Sequence, residues 1–341
     1  MELIDGFLGA LVGVHVGDSL GAPYEKTYSK NAIARDIKER GGLVMFDYKN
    51  PWGTSPNDRN GLELPAGRPT DDSDQTADLC HSLITCNGLN PEHLKGSLAS
   101  SVVHGISRLW SGQATGAGRT TKNALVAGAK TTKLHGVPMN KIGTNGSLMR
   151  CAPMGLWHYR NAMTSYDPFY GNSPAFLEAK QDVYTMSAVT HTNPISQQAC
   201  WIYTLMVIEL LTGEENPADA WDAVADTDQC FPEDPLFNRL TFALLDDNKF
   251  PYDPGEWPMR GEAEFSLYVA LYALMKTSSF AEGIELAVRV GGDTDTYAAI
   301  AGGLLGAYYG YDAIPQDWKD TILGHDQMVS YGQQIYDLRV Q

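Results

Sequence analysis

No apolar run in this chain reaches the ~18–20 residues that a membrane-spanning helix needs. The closest, Cys200 to Leu211, is short, carries Glu209 and reads as a core helix. Basic residues are scarce: 25 Lys and Arg stand against 41 Asp and Glu, a net charge of −16. A general nucleic-acid binder needs a basic footprint, so that class is excluded. An anionic small ligand is not, because bound cations reverse the local potential. Cysteine pairs are missing as well. Cys80, Cys86, Cys151, Cys200 and Cys230 are scattered and odd in number, as expected of reduced thiols in a cytoplasmic protein. The start of the chain, Met1-Glu2-Leu3-Ile4-Asp5, is acidic where a secretory signal would be basic. No Gly-x-Ser-x-Gly elbow supports a serine hydrolase, and no His/Cys cluster has zinc spacing. Sustained period-2 alternation is scarce, so the fold should be all-α, with at most a minor strand or two near 42–48.

What is present is a hydrophobic content of 43%, with 34 glycines and seven tryptophans, enough for a sizeable core in one unit spanning 1–341. Leu3, Phe7, Leu11 and Val14 recur at helical spacing and predict a buried helix over 2–16. Further helices are expected at 73–87, 91–110, 119–130, 175–190, 195–212, 217–225, 235–245, 262–276, 280–290 and 295–309. Loops rich in Gly, Pro, Asn and Asp fall at 49–69, 160–174 and 247–261. Gly9, Gly13 and Gly17 lie four residues apart, and so do Gly302, Gly306 and Gly310. Such side-chain-free stripes permit close helix pairing. The first and last long helices are therefore expected to cross in the core, bringing Asp18 toward Asp293 and Asp295. Relief of crowding against different neighbours is the alternative.

Two acidic clusters stand far apart in the chain: Thr70-Asp71-Asp72-Ser73 and Gly291-Gly292-Asp293-Thr294-Asp295-Thr296. Each supplies two carboxylates and a hydroxyl within about one turn. Hard divalent cations take oxygen ligands of this kind. Two ions ~3.5–4 Å apart can grip substrate oxygens and activate water. Either cluster alone reads more readily as helix capping, with Thr70 as the cap of the helix that follows; together, with matching chemistry, they point to a site. Four other elements are weaker. Glu25 follows the Gly17-Asp18-Ser19-Leu20-Gly21 helix end on a loop. Gly143-Thr144-Asn145-Gly146-Ser147 precedes a helix start and could present N–H groups to phosphate, as could Gly116-Ala117-Gly118-Arg119-Thr120-Thr121. His191 sits between two helices, where a cap or a core hydrogen-bonder is the ordinary role.

Taken in order, these elements resemble the ADP-ribosylglycohydrolase family of dimetal enzymes, related to dinitrogenase-reductase-activating glycohydrolase. The matching pieces are Gly17-Asp18…Gly21…Glu25, Thr70-Asp71-Asp72-Ser73, Gly118-Arg119-Thr120-Thr121, Asn145-Gly146-Ser147-Leu148-Met149-Arg150, His191 with Pro194, and Gly291 to Thr296. The resemblance implies a compact, orthogonal multi-helix bundle with a central dimetal cleft holding two Mg²⁺ or Mn²⁺ ions. It implies Thr70, Asp71, Asp72, Asp293, Asp295 and Thr296 as metal ligands and Asp18 as a residue behind them. Glu25 would sit on a mobile loop over the metals. Asn145, Gly146 and Ser147 would line a diphosphate, with His191 beside it. The implied activity is hydrolytic removal of ADP-ribose from an acceptor, with arginine on a modified protein as the first expectation. One of Glu25, Asp71 or Asp72 would accept the proton of the attacking water. Serine linkages, O-acetyl-ADP-ribose, a nucleic-acid base, a non-catalytic ADP-ribose-binding or structural role and a dimetal phosphohydrolase are the alternatives. The sequence departs from the family pattern at Asp74-Gln75-Thr76, Asn193, Tyr297 and the stretch 46–65. Of these, Tyr297 and the stretch 46–65 are expected to shape the cleft.

Overall fold

The computed structural model describes residues 1–49, 63–130, 143–164, 173–213, 216–227, 234–245 and 261–341. Most of the expected loops at 49–69, 160–174 and 247–261, and Cys230, lie outside the described residues, while 160–164 continue a helix rather than a loop. Helices follow one another as α1 (Leu3–Gly21), α2 (Lys30–Glu39), α3 (Asp71–Cys86), α4 (Pro91–Val102) and α5 (Arg119–Lys130). Then come α6 (Ala152–Thr164), α7 (Pro174–Ala188), α8 (Pro194–Leu211), α9 (Pro217–Thr227) and α10 (Pro235–Leu245). The chain ends with α11 (Ala263–Lys276), α12 (Phe280–Arg289), α13 (Thr294–Tyr309), α14 (Gln316–Thr321) and α15 (His325–Arg339). The fold is all-α. Its one small sheet pairs β1 (Tyr48–Lys49) with β2 (Glu63–Leu64), antiparallel, with Tyr48 opposite Leu64.

Helices α1 and α13 run antiparallel down the middle of the molecule, and glycine decides how close they come. A Cβ on Gly9 would lie 2.3 Å from the Gly306 carbonyl oxygen, one on Gly13 2.1 Å from that of Gly302, and one on Gly17 2.0 Å from that of Ala298. Backbone meets backbone along the whole seam, so even alanine would force the helices apart. The expected pairing of the two stripes is therefore present. Gly310 plays a different part: it ends α13 at φ 84° against the Asp5 carboxylate. By length and composition α1 does qualify as a candidate membrane span, contrary to the expectation that no segment would, yet 78% of that window is buried inside the fold. Its apolar residues are spent on α13, α15 and the surrounding core rather than on a lipid face.

Several boundaries moved for tertiary reasons. α3 starts at Asp71, earlier than the spacing implied, and Thr70 does not cap it. The cap comes from α1. Asp18 Oδ2 accepts from the backbone N–H of Thr70 at 2.9 Å and of Ser73 at 3.1 Å, and from the Ser73 hydroxyl. The Thr70 hydroxyl donates to Asp18 Oδ1 at 2.6 Å. α4 ends at Val102 rather than running to 110. Gly105 turns the chain at φ 69°, and the loop beyond it reaches back to α3. There Arg108 Nε donates to Asp78 Oδ1 at 2.7 Å and the Ser107 hydroxyl donates to Asp74. Helices α2, α6, α14 and α15 were not expected from spacing.

Candidate active site

The α1–α13 seam delivers the C-terminal end of one helix and the N-terminal end of the other to the same place, and α3 starts beside them. Two trios of carboxylate oxygens result, each with all members within 4.8 Å of one another: Asp18, Asp72 and Asp295, and Glu25, Asp293 and Asp295. Asp295 belongs to both. The first trio is buried, while Glu25 and Asp293 are half-buried and face a cleft of about 600 Å³. Asp71, Thr296 and Asp295 also line that cleft. Thr70 lies beneath it, its hydroxyl given to Asp18 and also 3.2 Å from Asp72 Oδ2.

This grouping is electrostatically costly without a counter-charge. Burial, reinforced by the charges of Asp18, Asp293 and Asp74, pushes the Asp71 carboxyl up to about 8. Burial and neighbouring carboxylates also drive Asp72 and Asp295 well above the usual range. Asp293 is raised by burial, against the hydrogen bond from Asn145. The N-terminal ends of α3 and α13 offset part of this repulsion. The donor set fits a pair of hard cations: it is all oxygen, and Asp72 Oδ1 is buried with no hydrogen-bond partner. Asp18 differs from the others, since its two oxygens already accept four hydrogen bonds in holding α3. It is placed to orient the cluster rather than to bind an ion.

Glu25 is not on a free loop here. Lys26, at φ 63°, donates its backbone N–H to the Gly292 oxygen at 2.6 Å, and Gly292 N–H donates to the Thr27 oxygen at 3.0 Å. Gly291 is required at that crossing, since a Cβ would sit 2.6 Å from the Thr27 oxygen. The chain after Glu25 is thus stitched to the loop that carries Asp293.

The opposite wall is made of hydroxyls, amides and cations: Arg119, Thr120, Thr121 and Lys122 at the start of α5, Thr144, Asn145 and Gly146, and His191. Gly116, at φ 112°, opens this segment because the Asp71 carboxylate fills the place of a Cβ, 2.4 Å away. Asn145 does line the cleft, but its amide donates to Asp293 Oδ2 at 2.7 Å and Ser266 Oγ at 2.9 Å. It orients an acid. Gly146 has His191 Nε2 at 3.0 Å from its missing Cβ, so the histidine ring lies flush with the turn. Ser147 is the residue the structure does not bring to the cleft: its buried side chain bonds Ser187 Oγ at 2.8 Å. Tyr297 does not enter it either. It is fully buried edge-on against Phe265, and its hydroxyl has no partner. Lys26, Tyr28 and Lys122 line the cleft without any motif that would have singled them out.

An all-α bundle that gathers paired carboxylates from α3 and α13 at the mouth of a polar cleft is the architecture of a known class of hydrolase. The chain belongs to the ADP-ribosylglycohydrolase family, enzymes that hydrolyse a glycosidic bond, whose family model matches residues 1–341. It is 25% identical to the ADP-ribosylarginine hydrolase Tri1 of Serratia proteamaculans, covering 98% of this chain and 80% of that one. Identity to the ADP-ribosyl-dinitrogen reductase glycohydrolase of Rhodospirillum rubrum is 27%, over 93% of this chain and 90% of that one. A solved chain from an ADP-ribosylglycohydrolase-related protein complex superimposes with a TM-score of 0.69 at 26% identity, covering 99% of both.

Proposed function

We propose that this cleft is a dimetal site that hydrolyses the bond between ADP-ribose and an arginine side chain of a modified protein. The observation that carries the reading is the pair of carboxylate trios sharing Asp295, one of which faces the cleft. The arginine linkage draws support from the Serratia relative, an ADP-ribosylarginine hydrolase matched over nearly the whole of this chain. Asp71, Asp72, Asp293, Asp295, Thr70 and Thr296 are the residues that would hold two Mg²⁺ or Mn²⁺ ions. When bound, such ions supply fixed positive charge that orients ribose hydroxyls and lowers the pKa of water.

The chain's own groups account for the rest. Cleavage at the anomeric carbon builds positive charge on the ribose ring, and an acidic wall stabilises that charge. Arg119, Lys122 and the N-terminal end of α5 offer the opposite potential to a diphosphate. Glu25 and Asp71 line the cleft whereas Asp72 is 1% exposed, so the proton of the attacking water falls to Glu25 or Asp71.

The test is incubation of the protein with ADP-ribosyl-arginine in Mg²⁺, Mn²⁺ or EDTA, with products resolved by mass. Metal-dependent release of ADP-ribose is expected. Release of AMP would instead mark a phosphohydrolase, and tight ADP-ribose binding without release a non-catalytic member or another linkage.

A further inference from the structure

Behind the cleft, one buried side chain touches both walls. Arg150 is fully buried in the turn before α6. Its Nη1 donates to the Gln75 side-chain oxygen and to the Gly146 carbonyl, each at 2.8 Å. Its Nη2 donates to Thr190 Oγ1 at 2.7 Å and reaches the Met186 carbonyl at 3.5 Å. From there the contacts run on in two directions. Gln75 Nε2 donates to Asp71 Oδ2 at 2.8 Å, on the acidic wall. Thr190 Oγ1 lies 2.7 Å from His191 Nδ1, on the opposite wall. All the acceptors that Arg150 itself uses are neutral, an expensive way to bury a guanidinium unless its geometry is needed.

We propose that Arg150 is the positioning residue that locks the two walls of the cleft together, holding Asp71 through Gln75 and His191 through Thr190. The direction of the hydrogen bonds follows from the donor inventory. Arginine only donates, so Thr190 Oγ1 accepts from it, and in this proposal the threonine proton goes to His191 Nδ1, 2.7 Å away. His191 is left as the Nε2–H tautomer, kept neutral by burial and by the nearby Arg150 charge. Its Nε2 lies against Gly146 at the cleft surface, where it presents a donor to a ligand oxygen.

The inference rests on the reading of the cleft as an ADP-ribose site, and the experiment separates the two. The imidazole nitrogens of the ¹⁵N-histidine-labelled full chain are recorded in Mg²⁺ buffer, with His191→Gln assigning the signal. The expected spectrum shows His191 as Nε2–H with Nδ1 a hydrogen-bonded acceptor. Thr190→Val should shift that signature and lower kcat/KM about fivefold or more, through loss of the hydrogen bonds that run from Arg150 to His191. Thr190→Ser should restore both. Gln75→Met should weaken Mg²⁺ binding roughly tenfold while leaving the His191 spectrum in place. A protonated Nδ1 in the wild type, or a Thr190→Val spectrum identical to it, would overturn the proposal. Should the wild type neither bind nor cleave ADP-ribose conjugates, the functional reading fails, and the spectra alone decide the role of Arg150.

Discussion

The two walls of the cleft are built on opposite electrostatic plans. The acidic wall collects Glu25, Asp71, Asp72, Asp293 and Asp295 with no lysine or arginine paired to Asp71, Asp72 or Asp295 among the described residues, and it leaves Asp72 Oδ1 without a partner. The facing wall is tied to itself: His191, Thr190, Arg150 and Gly146 bond to one another, although Thr144 Oγ1 and Arg150 Nε have no hydrogen-bond partner among the described residues. The acidic wall gathers like charges, whereas the other is cross-linked by its own hydrogen bonds. A site that needs cations on one side and a rigid ligand cradle on the other would have this asymmetry.

The largest break in that contrast should come from the shared acid. Asp295→Ala is expected to lower kcat/KM by at least about a hundredfold and to weaken divalent-cation binding by calorimetry. Helical content by circular dichroism should be unchanged, and full activity would end the dimetal reading. Next in size is the seam that brings the acids together. Gly13→Ala puts a methyl into the Gly302 carbonyl and should cost about 3 kcal/mol in urea unfolding. A neutral result would mean that α1 and α13 can part without loss.

A titration sharpens the comparison further. The Asp71 carboxyl has a reference value of 3.8 and a folded value of about 8. Between those values the folded chain holds a proton that the unfolded chain has released. Stability of the metal-free protein should therefore fall as pH rises through that window. Added Mg²⁺ should remove the fall and stabilise most at the alkaline end, where its ligands are ionised. Thermal melts across pH, with and without Mg²⁺, read this directly, and a metal-free melting temperature that rises with pH would contradict it. The smallest effect is expected at Tyr297→Phe. Its hydroxyl is buried and unpartnered, so its removal should leave stability the same or raise it by up to about 1 kcal/mol. A clear loss of stability would reveal a role for that hydroxyl in the acidic wall.

Much of this arrangement could be read in advance, for identifiable reasons. Glycines at i, i+4 and i+8 in two segments mark two helix faces without side chains, and those faces do meet. Aspartates beside hydroxyl residues mark two helix starts rich in oxygen donors, and both starts reach one centre. The spacing does not mark α2, whose signal is weak. In α2 only Ile33 and Ile37 are buried among ten residues. α6 follows the helix start expected after the Gly143–Ser147 turn, and its Gly155 stands where a Cβ would meet the Val207 side chain at 2.6 Å. Met328, Tyr331 and Ile335 of α15 keep helical spacing, so the signal for that helix is present in the sequence.

Linear order and residue type by themselves determined the helical class, the family and the identity of the acids. These properties depend on local periodicity and on side-chain chemistry, which a sequence states outright. Tertiary structure alone decided which group serves which. It gave the α3 cap to Asp18 rather than Thr70, turned Ser147 and Tyr297 into the core, used Asn145 to hold Asp293, and set Arg150 between Gln75 and Thr190. Each of these depends on distances between residues remote in the chain, and hydrogen bonds and carboxylate repulsion act through those distances rather than through sequence separation.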